Sequence, residues 1–158
     1  MLSEPTLPLQ FIFKVTARCN LNCTYCYVFN KADQSWRSRS PVMPDEVFEA
    51  GLERVRRHCE LSGQSIVRVM FHGGEPLLAG VARFRRWLQR IESELAPFIP
   101  VSLAIQTNAT LITKEWAKLF AEYKVEVGVS VDGPPELNDL FRVDHAGRGS
   151  YTNIVRGI

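Results

Sequence analysis

Three cysteines, Cys19, Cys23 and Cys26, stand within eight positions of one another, spaced C-x3-C-x2-C in the string CNLNCTYCY. Three readings of these thiols compete. A structural zinc site takes four ligands, commonly as two spaced pairs. Cys59 or one of His58, His72 and His145 would have to supply the fourth, and no second C-x2-C exists. A redox dithiol would use Cys23 and Cys26 and leave Cys19 without a part. An iron–sulfur cluster usually takes four thiolates. With only three, one iron keeps an open position, and an open position on a metal is where chemistry happens. Asn20, Asn22 and Thr24 make the stretch a polar loop, where nothing buries three thiols except a metal. Cys59 lies on an apolar helical stripe, where a free cysteine behaves as a small hydrophobe.

Four apolar, β-rich runs are predicted strands: LQFIFKV at 9–15, SIVRVMF at 65–71, VSLAIQT at 101–107 and VEVGVSV at 125–131. Between the first two, PDEVFEAGLERVRRHCE aligns Val47, Gly51, Leu52, Val55 and Cys59 on one helical face. Asp45 and Glu46 in its first turn complement the helix dipole. Val81, Phe84, Leu88, Ile91 and Leu95 step as a second helix. Thr113 can cap a third that buries Trp116, Phe120 and Tyr123, and Tyr151, Ile154, Val155 and Ile158 begin a fourth. Residues 30–44, polar and with two prolines, read as a loop.

Strand and helix alternating four times imply crossover connections and a parallel sheet, an α/β fold. Ligands in such sheets bind at the carboxyl ends of the strands. The unusual motifs fall there: the cysteine loop after the first strand, HGGEPL after the second, QTNATL at the third and SVDGPP at the fourth. Gly73 and Gly74 let the backbone approach a ligand, and Glu75 adds an acceptor.

The 158 residues suit one domain. A net charge of +2 with scattered arginines gives no nucleic-acid footprint. No apolar run approaches membrane-spanning length, and residues 1–10 lack the build of a signal peptide, so a cytoplasmic protein is expected, with neither a membrane nor a nucleic-acid partner.

The spacing C-x3-C-x2-C, with Tyr25 directly before the last cysteine, resembles the signature of the radical S-adenosylmethionine (radical SAM) enzymes. The resemblance implies that Cys19, Cys23 and Cys26 hold a [4Fe-4S] cluster. S-adenosylmethionine would bind its fourth iron and yield a 5′-deoxyadenosyl radical that abstracts hydrogen from a substrate. Gly73, Gly74 and Glu75 look like the family's GGE motif, which holds the methionyl ammonium. IQTNATLI and GVSVDGPPELNDLFRVD are similar to segments of peptide and protein maturases, including anaerobic sulfatase-maturing enzymes. By that similarity Tyr25, Gln106, Asn108, Ser130 and Asp132 bind the cofactor, and Arg142 pairs with the methionyl carboxylate, which a planar bidentate cation fits best.

The string ADQSWR, residues 32–37, resembles a stretch of maturases that build cyclophane crosslinks in ribosomal peptides. It makes crosslinking the expected reaction, with formylglycine formation on sulfatases as the alternative. The implied partners are a ribosomal precursor peptide or protein substrate and an electron donor such as flavodoxin or ferredoxin. The implied fold is a partial TIM barrel of six strand–helix units, about four of them within residues 1–158. A truncated core domain without its cysteine-rich SPASM domain of auxiliary clusters is therefore expected. Two further readings remain: a zinc-stabilised peptide-binding module, and an inactive truncated remnant.

Overall fold

The computed structural model describes residues 9–158. Residues 1–8, counted with the core domain on sequence grounds, lie outside the described residues. Four strands, β1 (Leu9–Thr16), β2 (Val67–Gly73), β3 (Val101–Thr107) and β4 (Glu126–Val129), form one parallel sheet in the order β1-β2-β3-β4. Helices α1 (Asp45–Ser62), α2 (Val81–Glu94) and α3 (Lys114–Glu122) make the crossovers. The α/β class expected from the alternation is the one observed.

Strand register makes the two sheet faces different. Phe13 pairs with Phe71 and Phe71 with Ile105, so their side chains share a face. Val15, Val67 and Val69 share it too, and all six residues are buried with the helices over them. On the other face Lys14 pairs with His72, Met70 with Ala104, and Gln106 with Gly128. There Ile12 is 54% exposed, whereas Val15 is fully buried. The polar face is the open one.

The helix over β1 is turned slightly from its predicted setting. Its core stripe is Phe48, Leu52, Val55 and Cys59, all buried, while Val47 is half exposed. Steps of four, three and four keep those residues on one stripe, and Val47 falls about 100° from Phe48. In α2, Trp87 joins Phe84, Leu88 and Ile91 in the core. Trp87, which the predicted stripe does not include, also makes a polar contact: its Nε1 donates to Asp45 Oδ1 at 3.2 Å. Arg83 and Arg86 also reach Asp45, so this residue ties two helices together as well as starting one. Thr113 caps α3 as predicted, accepting from Trp116 N. Leu119 rather than Tyr123 completes its buried face, since Tyr123 lies past the helix end.

After a short β4 the sequence alone suggests only a turn at Asp132–Gly133–Pro134. The chain turns there and then enters a helix, α4 (Pro135–Phe141), with proline at its first position, where a missing N–H removes no hydrogen bond. A hairpin-like segment leads to α5 (Tyr151–Gly157).

Gly51 lies where α1 crosses β1. A Cβ there would sit 2.6 Å from Phe13 Cε1, and Phe13 is itself wedged against Phe48. Helix propensity alone would make Gly51→Ala stabilising by about 0.5–1 kcal/mol, but overpacking a core contact costs about 1–3 kcal/mol. Overpacking wins, so Gly51→Ala should lower stability in urea denaturation. The loss should shrink in a Phe13→Leu background, and equal losses in both backgrounds would show that the ring contact is not the cause.

Candidate cofactor site

The cysteine loop springs from the end of β1 and is fixed by its own turns. Cys26 N donates to Cys23 O (2.9 Å), Asn30 N to Cys26 O (3.0 Å), and Asn30 Nδ2 to Cys23 O (2.8 Å). The polar residues between the cysteines are ties as well as loop formers. Asn20 Nδ2 donates to Thr110 Oγ1 at 2.8 Å and its Oδ1 accepts from Asn108 Nδ2 at 3.0 Å. From the far side the segment after α4 closes on the loop: Asn22 N donates to Val143 O and Thr24 N to Phe141 O, with Leu21 buried beneath.

All three thiols are free and half-buried. Burial pushes the Cys19 thiol up to about 11, although Leu21 N–H points at its sulfur from 3.4 Å. Burial also raises Cys23, against the pull of the Arg142 cation. Among the described residues no three His, Cys, Asp or Glu side chains converge as ligands of a single metal ion.

HGGEPL runs off β2 directly beside the start of this loop. Gly74 N donates to Thr16 O and Glu75 N to Arg18 O. A Cβ on Gly74 would fall 2.1 Å from Arg18 O. That glycine therefore serves the approach of two loops to each other, not only the approach of a ligand. Glu75 is 1% exposed. Its Oε1 accepts from Leu77 N (3.0 Å) and Thr107 Oγ1 (2.7 Å), and its Oε2 from Asn108 N (2.8 Å). Burial raises this carboxyl, while the three donors and the more distant Arg142 lower it. Thr107 Oγ1 already accepts from Ala109 N, so its hydrogen goes to Glu75, and the surroundings are those of an ionised group.

A cavity of about 170 Å3 is bounded by these parts. Cys19, Cys23, Cys26, Tyr25, Gly73, Gly74, Glu75, Gln106, Asn108, Ser130 and Arg142 all line it. Gln106 Nε2 donates to Ser130 Oγ at 2.8 Å across its floor. Arg142 is 8% exposed, and its Nε is buried with no partner among the described residues. Asp132 is the exception among the residues picked from sequence: it does not line the cavity. It stands behind, where Tyr25 Oη donates to its Oδ2 (2.5 Å) and Arg142 Nη1 lies 3.7 Å from its Oδ1. Arg142 Nη1 also donates to Tyr25 Oη at 2.7 Å, closing a three-membered network. Sequence reasoning missed Thr107 and His72 as lining residues. Strand alternation could have found His72, near the end of β2 and facing opposite to the buried Phe71. A larger groove of about 650 Å3 between α1 and α2 is lined by Glu46, Glu49, Glu53, Arg56 and Glu94 and brings no thiol together.

Among the described residues no helix is long and apolar enough to cross a membrane. The model of the Radical SAM superfamily matches residues 13–158. The cysteine-type anaerobic sulfatase-maturating enzyme of Clostridium perfringens is 34% identical over 154 residues, covering 94% of this chain and 40% of that protein. The serine-type anaerobic sulfatase-maturating enzyme of Bacteroides thetaiotaomicron is also 34% identical, covering 96% of this chain and 36% of that protein. The solved structure of native anSMEcpe with bound AdoMet and Cp18Cys peptide superposes with a TM-score of 0.78 at 32% identity, over 96% of this chain and 39% of that one. The chain thus spans roughly two fifths of the length of these relatives, and its four-stranded sheet matches part of a radical SAM partial TIM barrel.

Two measurements check this geometry. In the metal-free protein, alkylation of Cys19 by iodoacetamide, followed by peptide mass mapping, should keep accelerating up to a pH of about 11; levelling at the pH of an ordinary thiol would mean the site is not closed around it. Glu75→Gln puts an amide N–H2 against backbone or hydroxyl donors. With each unsatisfied buried donor costing about 1–3 kcal/mol, a loss of about 2–3 kcal/mol in urea denaturation is expected, and an unchanged midpoint would mean the carboxyl is protonated.

Proposed function

This chain belongs to the Radical SAM superfamily, and from that premise we propose that it forms the cofactor-binding part of an enzyme that modifies a peptide side chain, with Cys19, Cys23 and Cys26 holding a [4Fe-4S] cluster. When bound there, the cluster and S-adenosylmethionine would supply the radical chemistry for hydrogen abstraction, and Cys19, Cys23 and Cys26 would hold the cluster.

The residues fit these groups. Three thiolates on separate irons need not meet at a point, which suits thiols that share a cavity without converging on one ion. The zinc reading needs a fourth ligand, and Cys59, the remaining cysteine, is buried in the core on α1. An amino-acid zwitterion needs a cation for its carboxylate and acceptors for its ammonium. Arg142 brings a buried guanidinium with an unpaired Nε, and Glu75 Oε2 accepts only one hydrogen bond where a carboxylate oxygen can accept more. Gln106 and Ser130, already bonded to each other, present the polar edge for ribose hydroxyls. Asp132 acts one step back, orienting Tyr25 and Arg142.

Of the two reactions expected from sequence, oxidation of a cysteine or serine side chain in the manner of the sulfatase-maturating relatives has the better support. The two relatives are named cysteine-type and serine-type sulfatase-maturating enzymes, and the superposed structure holds the Cp18Cys peptide. Cyclophane crosslinking rests on the single string ADQSWR. The observation that carries the proposal is that three thiols share one cavity with the buried Arg142, whose Nε has no partner among the described residues.

Anaerobic reconstitution with iron and sulfide should give a brown protein that releases 5′-deoxyadenosine and methionine on reduction with S-adenosylmethionine. Cysteine-containing peptides should gain an aldehyde detectable with a hydrazine reagent. Any of Cys19→Ala, Cys23→Ala or Cys26→Ala should abolish the colour. Arg142→Lys should keep it yet weaken S-adenosylmethionine binding about tenfold, the loss of a charged hydrogen bond of about 1.5 kcal/mol. A colourless protein with one bound zinc would overturn the proposal.

A further inference from the structure

The string ADQSWR plays no part in the cofactor cavity, yet the structure anchors it to the root of the cysteine loop. Arg18 Nη1 donates to Trp36 O at 2.8 Å and Nη2 to Arg37 O at 3.4 Å. The Trp36 ring packs edge-on against Phe29, with centroids 5.0 Å apart. The guanidiniums of Arg18 and Arg37 lie 5.2 and 4.8 Å from the Trp36 ring centroid. On the other side of Cys19, His145 Nε2 stands 2.9 Å from the Cys19 carbonyl oxygen. Between them runs a surface groove of about 460 Å3 whose lining includes Arg18, Trp36, Arg37 and His145, and no carboxylate. Cys19 and Phe29 line both this groove and the cofactor cavity, so the groove backs directly onto the cysteine loop.

We propose that this groove docks a small acidic one-electron carrier protein and that Cys19 marks where the electron enters. The inference rests on the reading that the three thiols hold a cluster. Such a cluster must be reduced from outside, and its cavity side is taken up by S-adenosylmethionine and substrate. The groove is the second approach to the same thiol. Its basic side chains without a competing acid complement an acidic surface and speed encounter. A tryptophan flanked by arginines is the composition that anchors protein interfaces. In the step itself one electron leaves the carrier's flavin or iron–sulfur group and enters the cluster, with no proton and no bond exchanged.

The test compares the reconstituted wild-type protein with Lys31→Glu/Arg37→Glu, beside the groove. The control is Arg54→Glu/Arg57→Glu, the same charge change on exposed positions of α1. Titration calorimetry with oxidised flavodoxin, which needs no turnover, should show binding weakened about tenfold at low ionic strength and converging with wild type as salt rises. Stopped-flow reduction by reduced flavodoxin should slow about tenfold, whereas reduction by dithionite should stay unchanged. The α1 control should match wild type throughout. Unchanged binding and carrier-driven reduction in the groove variant, with dithionite reduction intact, would overturn the docking surface and leave the cluster standing. A wild-type protein that dithionite cannot reduce would overturn the cluster reading itself.

Discussion

Glu75 turns its carboxylate away from water where β2 and β3 end, and three donors close on it: Leu77 N from its own loop, and Thr107 Oγ1 and Asn108 N from the next strand. An isolated carboxylate so buried would be penalised by several kcal/mol, whereas hydrogen bonds to a charged group each return about 1.5–3 kcal/mol. Neither the burial nor the loop geometry is stable without the other. Glu75 N also reaches Arg18 O, and Thr16 Oγ1 donates back to Glu75 O, so the same residue fixes where the cysteine loop begins. Through Asn108 the link continues to Asn20 and to within 3.8 Å of Cys19 Sγ. Three strand-end loops therefore hold their positions as one unit, and the cavity is the space they leave.

Much of this arrangement is legible in the chain. Apolar, β-rich runs and helical stripes place all four strands and the three crossover helices, because burial is what those patterns encode. The coincidence of every unusual motif with a strand end locates the cavity before any coordinate does. What escapes is whatever depends on partners distant in sequence. Nothing near Trp87 reveals that Asp45 waits for its indole N–H. The resemblance to maturases makes Asp132 an expected cofactor ligand, and nothing near it in sequence reveals that Tyr25, 107 residues earlier, donates to it. Gly74 is visible as a permissive residue, yet the backbone it admits, Arg18, can be identified only once β1 and β2 are paired.

The thiols illustrate how local chemistry discriminates between metals. Burial raises the pKa of the Cys19 and Cys23 thiols and keeps these two sulfurs protonated in a metal-free loop, so their ligation must release protons and recover the burial cost through the metal. Leu21 N–H and Asn108 Nδ2 already point at Cys19 Sγ. Donors to sulfur tune the potential of an iron–sulfur centre and would serve no redox purpose at a zinc. Such donors would serve the iron–sulfur cluster proposed for this loop.

The sidedness of the sheet bears on what the open face is for. Parallel sheets normally bury both faces, and their strands then read as continuous apolar runs. Here the face away from the helices carries Lys14, His72 and Gln106 in one row, with Arg68 and Glu126 paired two-pronged below. Glu126 is 62% exposed along its side chain, so the pair adds little stability. Lys14 meets only the Tyr27 ring, at 5.7 Å, and no carboxylate among the described residues. A second helical layer would bury these groups at a loss. A polar ligand would satisfy them, and His72 already lines the cavity where the cysteines gather. The face that a folding argument would count as incomplete thus offers polar partners that the peptide proposed as substrate would need for its own amides wherever it is drawn out of water.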